Sequence, residues 1–176
     1  MASQMLKGKV VVVGAGAKNL GGLISRTFGA EGASVVVHYN SNSTKESADE
    51  TVRAVKTTGG DAFAIQGDLT KVSEVVRLFD EAVKRYGRVD IAINTVGKVL
   101  KKSFAETTEE EYDSMFAINA KAAYFFIREA AGKSSISRPR SWRRSQGSTP
   151  RTRAARPRWN TSRVRRRRSS APAASR

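Results

Sequence analysis

Four short, continuously apolar runs punctuate the first three quarters of the chain, and between them lie longer segments whose apolar residues recur every three or four positions. Residues 10–13, 35–39, 62–66 and 89–94 are of strand length, and runs without polar alternation are those that a sheet buries on both faces. A glycine-rich turn and an amphipathic helix to about Gly29 follow the first run. A second helix is predicted over 44–58, ended by Gly59 and Gly60. A third spans 72–86, with Val72, Val75, Val76, Phe79, Ala82 and Val83 on one stripe and Gly87 at its end. Thr107 stands three residues before Glu110, a capping-box spacing that opens a fourth helix reaching about Ala131, with Met115, Ile118, Ala122, Phe125 and Phe126 as its apolar face. Strand and helix thus alternate four times. The expected fold is α/β, a doubly wound parallel sheet that stops after about four strands.

Charge divides the chain differently. Residues 1–133 hold all sixteen acids and eighteen of the thirty-two Lys and Arg, whereas residues 134–176 hold fourteen arginines, all four prolines and both tryptophans, with no acid. Two parts are expected: a folded domain over 1–133 and a disordered Arg/Ser/Pro-rich tail over 134–176. The absence of cysteine excludes disulfides and thiolate metal sites, and a single histidine, His38, leaves no metal cluster to expect. No run nears the ~20 apolar residues of a membrane span, and no leader pattern precedes residue 10, so a cytoplasmic, membrane-free protein is the default expectation.

Candidate chemistry begins at the first βα turn, Gly14-Ala15-Gly16-Ala17-Lys18-Asn19-Leu20-Gly21-Gly22. Glycine lets backbone approach a pyrophosphate closely, and the helix that follows offers free N–H groups to the anion. The turn sits where a dinucleotide-binding unit requires it. At the end of the second strand, a domain that prefers NAD(H) places an acid to hold the ribose hydroxyls. This chain has His38-Tyr39-Asn40-Ser41-Asn42-Ser43-Thr44-Lys45. Asn40, Ser41 and Ser43 can donate hydrogen bonds to a 2′-phosphate, and Lys18 or Lys45 can supply charge, so NADP(H) is favoured over NAD(H).

Over residues 6–132 the chain resembles the short-chain dehydrogenase/reductase family, a Rossmann-like fold. Its turn is similar to the family's Thr-Gly-x-x-x-Gly-x-Gly, with Gly16 and Gly22 as outer glycines, Ala15 in the usual Thr position and Leu20 where the middle glycine belongs. Gly67-Asp68-Leu69 resembles the family segment whose Asp contacts adenine. Asn94-Thr95-Val96-Gly97 is similar to the Asn-Asn-Ala-Gly beside the cofactor, and the segment 108–119 resembles the helix whose Asn, here Asn119, serves a proton relay. The Lys-Asn-Leu-Gly form resembles a fungal-type subgroup. The resemblance implies hydride transfer between NADP(H) and a small carbonyl or alcohol substrate, with homo-oligomers as the usual state.

It also implies a Ser and a Tyr-x-x-x-Lys, and these are missing. No tyrosine follows Tyr124, and Tyr124 has Arg128 rather than Lys four residues on. It is expected to pack. As written, the chain is expected to be inactive. The arginine tail admits a second function, non-specific nucleic-acid binding through phosphate neutralisation and tryptophan stacking. It also admits a reading-frame error. Codons built from the last base of each displayed codon and the first two of the next permit, from the Pro139/Arg140 junction, Ser-Leu-Leu-Ala-Ala-Phe-Thr-Gly-Phe-Tyr-Ser-Thr-Tyr-Ala-Gly-Ser-Lys-Ala-Pro. Trp159-Asn160 forces Glu, and the frame stays open to Arg176. The second Tyr falls at the Arg151/Thr152 junction, with Lys four places later and Ser twelve earlier. Sequencing the gene across Lys133 is expected to show one base lost, two gained or a misdrawn splice; a stop codon in the shifted frame refutes the idea.

Overall fold

A computed structural model describes residues 4–133; the tail, and with it the proposed frame change and the missing Ser, Tyr and Lys positions, lies outside the described residues. Four strands form one wholly parallel sheet: β1 (Val10–Gly14), β2 (Ser34–Tyr39), β3 (Asp61–Gln66) and β4 (Ile91–Asn94), in the order β3-β2-β1-β4. The helices between them are α1 (Asn19–Ala30), α2 (Lys45–Thr57), α3 (Val72–Tyr86), α4 (Glu109–Phe116) and α5 (Ala122–Lys133). This is a Rossmann-like α/β architecture.

The apolar runs are apolar because both sheet faces are covered. Val12, Val36 and Ile65 point into one core with Leu78 and Phe79 of α3 and Phe126 of α5. Val11, Val13, Val35 and Val37 point the other way, toward Ala48 and Val55 of α2. Neighbouring residues of one strand therefore serve opposite layers. Phe79 and Phe126 meet edge to face, with ring centroids 4.9 Å apart. The α3 helix stops at Gly87, whose φ of 77° is left-handed and whose N–H closes on the Val83 carbonyl.

Two boundaries differ from the sequence expectation. The capping box sits one residue later: Thr108 Oγ1 accepts the Glu111 N–H at 3.3 Å and Glu111 accepts the Thr108 N–H at 2.9 Å, while Thr107 donates its hydroxyl to the Ser103 carbonyl. Two threonines followed by three glutamates allow either register, and Lys102, 2.9 Å from Glu111, favours the later one. The single helix expected to Ala131 is instead two α-helices joined by a π-helical turn over Ala117–Lys121. Tyr112, Phe116, Tyr124 and Ile127, none of them on the expected apolar face, are exposed. Tyr124, expected to pack, is 66% exposed, with only its edge-on ring contact to Phe125.

Phe126→Ala is expected to destabilise the fold by about 3–5 kcal/mol, because it opens a cavity against Phe79. Urea unfolding followed by circular dichroism measures this, and a shift no larger than that of Ile127→Ala, an exposed neighbour, contradicts the packing.

Candidate functional site

A cleft of about 580 Å³ opens at the carboxyl ends of β1, β2 and β4. Crevices arise there because chain leaving β1 turns to one side of the sheet while chain leaving β4 turns to the other. Of the residues singled out in the sequence, Lys18, Asn19, Leu20, Gly21, Asn40, Leu69, Asn94 and Gly97 line it. Gly14, Gly16 and Gly22 build the turn from below. Ser41 does not reach the cleft; its hydroxyl bonds Ser43 Oγ at 2.8 Å. Asp68 lies in an adjoining polar groove that shares Asn40. Lys45 turns away to pair with Asp49 at 2.8 Å, which leaves Lys18 as the cation at this end.

The turn is shaped by contacts that leave no room for side chains. A Cβ on Gly14 would fall 2.8 Å from Asn94 Oδ1 and 3.2 Å from Phe126, so a side chain here would have to displace Asn94 and press on Phe126. One on Gly21 would fall 2.1 Å from the Ala15 carbonyl oxygen, whereas Leu20 stands 63% exposed at the mouth. Gly21 therefore does the work that the sequence pattern sought at position 20. Gly16 lies under α1, and its carbonyl accepts the buried Ser25 hydroxyl at 3.0 Å. Lys18 opens α1 without a side-chain cap, and the first turn carries no acid, so the helix presents its N–H groups and positive dipole end to the cleft.

Among the described residues no carboxylate lines the cleft. Asp68 is held just outside by Thr70, which donates its hydroxyl at 2.7 Å and its N–H at 3.1 Å and keeps the carboxyl below the usual range. On the opposite wall, Asn94 Oδ1 accepts the Val96 N–H at 3.1 Å, and Thr95 donates both its N–H and its hydroxyl to the Gly14 carbonyl, at 3.1 and 2.6 Å. The wall beside β4 is thereby tied to the end of β1.

Asn119 sits in the π-helical turn, beside the cleft. Its side chain is committed at both ends: Oδ1 accepts the Lys98 N–H and Nδ2 donates to the Lys98 carbonyl, each at 2.9 Å. That pair fixes the loop after β4 against α4 and α5. Sequence reasoning missed Thr95, Val96, Lys98 and Ile118 as cleft residues, and it read His38 only as the lone histidine. A polar side chain inside an apolar strand run was the available signal for His38, since a buried polar group requires partners.

Comparison with known proteins agrees with this geometry. The model of the short chain dehydrogenase family matches residues 9–138. A short-chain dehydrogenase/reductase of Pestalotiopsis microspora is 44% identical over 71% of this chain and 46% of its own length. Elsinochrome reductase 1 of Elsinoe fawcettii is 41% identical over 74% of this chain and 48% of its own. Among solved structures, a putative dehydrogenase from Burkholderia cenocepacia with bound NADP is 52% identical, with a TM-score of 0.72, over 76% of this chain and 51% of that one. The chain spans about half the length of the curated relatives it matches.

Replacing Asn119 by Ala removes both partners of the Lys98 peptide. Hydrogen exchange at the Lys98 amide is expected to accelerate about tenfold, the loss of roughly one net hydrogen bond. Unchanged exchange there contradicts the clamp.

Proposed function

The chain belongs to the short-chain dehydrogenase family, and from that premise we propose that residues 4–133 are the NADP(H)-binding half of an oxidoreductase acting on a small carbonyl or alcohol. One observation carries this reading. The cleft joins an uncapped helix N-terminus, closely packed turn glycines and two lysines, Lys18 and Lys98, with no carboxylate among its described lining residues. An anion-rich dinucleotide fits that donor set. The α1 N–H groups and the turn built by Gly14, Gly16, Gly21 and Gly22 would hold the pyrophosphate. Lys18, Asn19 and Asn40, with Ser41 nearby, would take the 2′-phosphate, which the missing acid at the end of β2 leaves unopposed. Asp68 and Leu69 would flank the adenine. Asn94 and Gly97 would support the nicotinamide side, with Leu20 at the mouth.

The bound nicotinamide supplies or accepts hydride. In the frame-restored protein Asn119 would act toward the proton relay as a positioning residue, since its side chain is consumed by the Lys98 peptide. The exposed apolar face of Tyr112, Phe116, Tyr124 and Ile127 suits a homo-oligomer of the intact protein.

We read this chain as inactive, because the acid/base Tyr and its Lys are not encoded in the displayed frame. The family match ends at residue 138, and the alternative-frame string begins at the Pro139/Arg140 junction. Read back to the Lys133/Ser134 junction, the same frame permits Ile-Ile-Asn-Ile-Ser-Ser, a fifth strand suited to the open edge of β4.

The purified chain is expected to bind NADPH, seen as enhanced nicotinamide fluorescence, and to oxidise none of it with any carbonyl tested. Lys18→Ala is expected to weaken NADPH about tenfold and leave NADH nearly unchanged. The frame-restored protein is expected to turn over. NADPH oxidation by the chain as written, lost in Asn119→Ala, overturns the reading.

A further inference from the structure

We propose that His38 is the positioning residue of the phosphate-binding turn, and that it holds the turn in its binding shape only while its imidazole is neutral. The proposal rests on reading the cleft as a nucleotide site. His38 is 2% exposed, near the carboxyl end of β2, between the turn after β1 and the end of β3. Its Nδ1 lies 3.1 Å from the Ala15 backbone nitrogen and its Nε2 lies 2.8 Å from the Gly67 carbonyl oxygen. A carbonyl only accepts, so Nε2 carries the proton. An amide N–H only donates, so Nδ1 must keep its lone pair. One neutral tautomer satisfies both contacts.

The bond to Ala15 holds an unfavourable backbone. Ala15 has φ 56°, in the left-handed region, where a Cβ crowds the following carbonyl oxygen. The Gly14–Ala15 peptide is gripped at both ends, its carbonyl by Thr95 and its N–H by His38. The next carbonyl, that of Ala15, is the atom that crowds Gly21. Rotation of this segment would therefore reshape the floor where the pyrophosphate is proposed to lie. The second contact anchors the imidazole to Gly67, next to Asp68, so the clamp spans the phosphate and adenine ends of the cleft.

Protonation would set an Nδ1–H against the Ala15 N–H, two donors face to face. Asp68 beside β3, Arg77 and Glu74 on α3 and Lys18 on the turn are the charged groups around this position. Burial outweighs the favourable Gly67 bond and the two acids, and lowers the imidazole below its ordinary 6.5. Because the folded value is depressed, the clamp is complete above pH 6.5 and is lost as pH falls through the lower, folded value.

The test uses the purified chain, NADPH titrations between about pH 5 and 8, and ¹⁵N NMR of the imidazole and of the Ala15 amide. Asn at this position places an acceptor near Nδ1, and Gln places a donor near Nε2. The wild type is expected to show the Nε2–H tautomer at neutral pH. Its NADPH affinity is expected to fall about tenfold as His38 protonates, one hydrogen bond's worth. His38→Asn should retain only the shallow slope due to the cofactor's own 2′-phosphate. His38→Gln should bind about tenfold more weakly at every pH, and adding Ala15→Gly, which makes the left-handed turn accessible, should restore most of that loss. Equal pH slopes for wild type and His38→Asn, or no rescue by Ala15→Gly, overturn the proposal. If no variant binds NADPH, the cofactor reading fails alone: loss of Ala15 amide protection on His38 protonation still supports the clamp, and unchanged protection refutes it.

Discussion

The close meeting of β1, β4 and α5 at Gly14 joins the sheet core to the wall of the cleft. Here β1, β4 and α5 converge so closely that a Cβ would overlap Asn94 and press on Phe126. Because it is missing, β4 pairs in register with Gly14 opposite Asn94, and Thr95 can deliver two hydrogen bonds to the Gly14 carbonyl. The same contact seats Phe126 against Phe79, so the packing of the α3–α5 layer and the wall of the cleft share one steric condition.

From that junction the polar groups at the carboxyl edge form a connected frame. Thr95 holds the Gly14 carbonyl, His38 holds the Ala15 N–H and the Gly67 carbonyl, and Asn119 holds the Lys98 peptide. Each bond runs between segments distant in sequence, so the cleft walls are fixed by the sheet rather than by their own loops. A preorganised frame binds a charged ligand without reorganising, and electrostatic binding is then governed by which charges were left out. The missing carboxylate at the end of β2 matters as much as the lysine on the turn.

Among the described residues β4 is an edge strand, and α4 and α5 expose Tyr112, Phe116, Tyr124 and Ile127. Apolar helix faces and unpaired strand edges need cover.

By itself the sequence determined the alternation of strands and helices, the two-faced burial of the sheet, the glycine turn and the family motifs, because these are local patterns: runs, periods and spacings. It identified Lys18 by its charge and Asn94 and Asn119 by resemblance, but could not say what their side chains touch. Only the tertiary structure chose Gly21 over position 20, moved the capping box to Thr108, broke the last helix at a π-helical turn and turned Lys45 away from the cleft. It alone shows His38 between the Ala15 amide and the Gly67 carbonyl. The cap register and the turn of Lys45 follow from which of several nearby partners the fold brings within reach, whereas a buried imidazole between Ala15 and Gly67 exists only once three strand ends have been brought together.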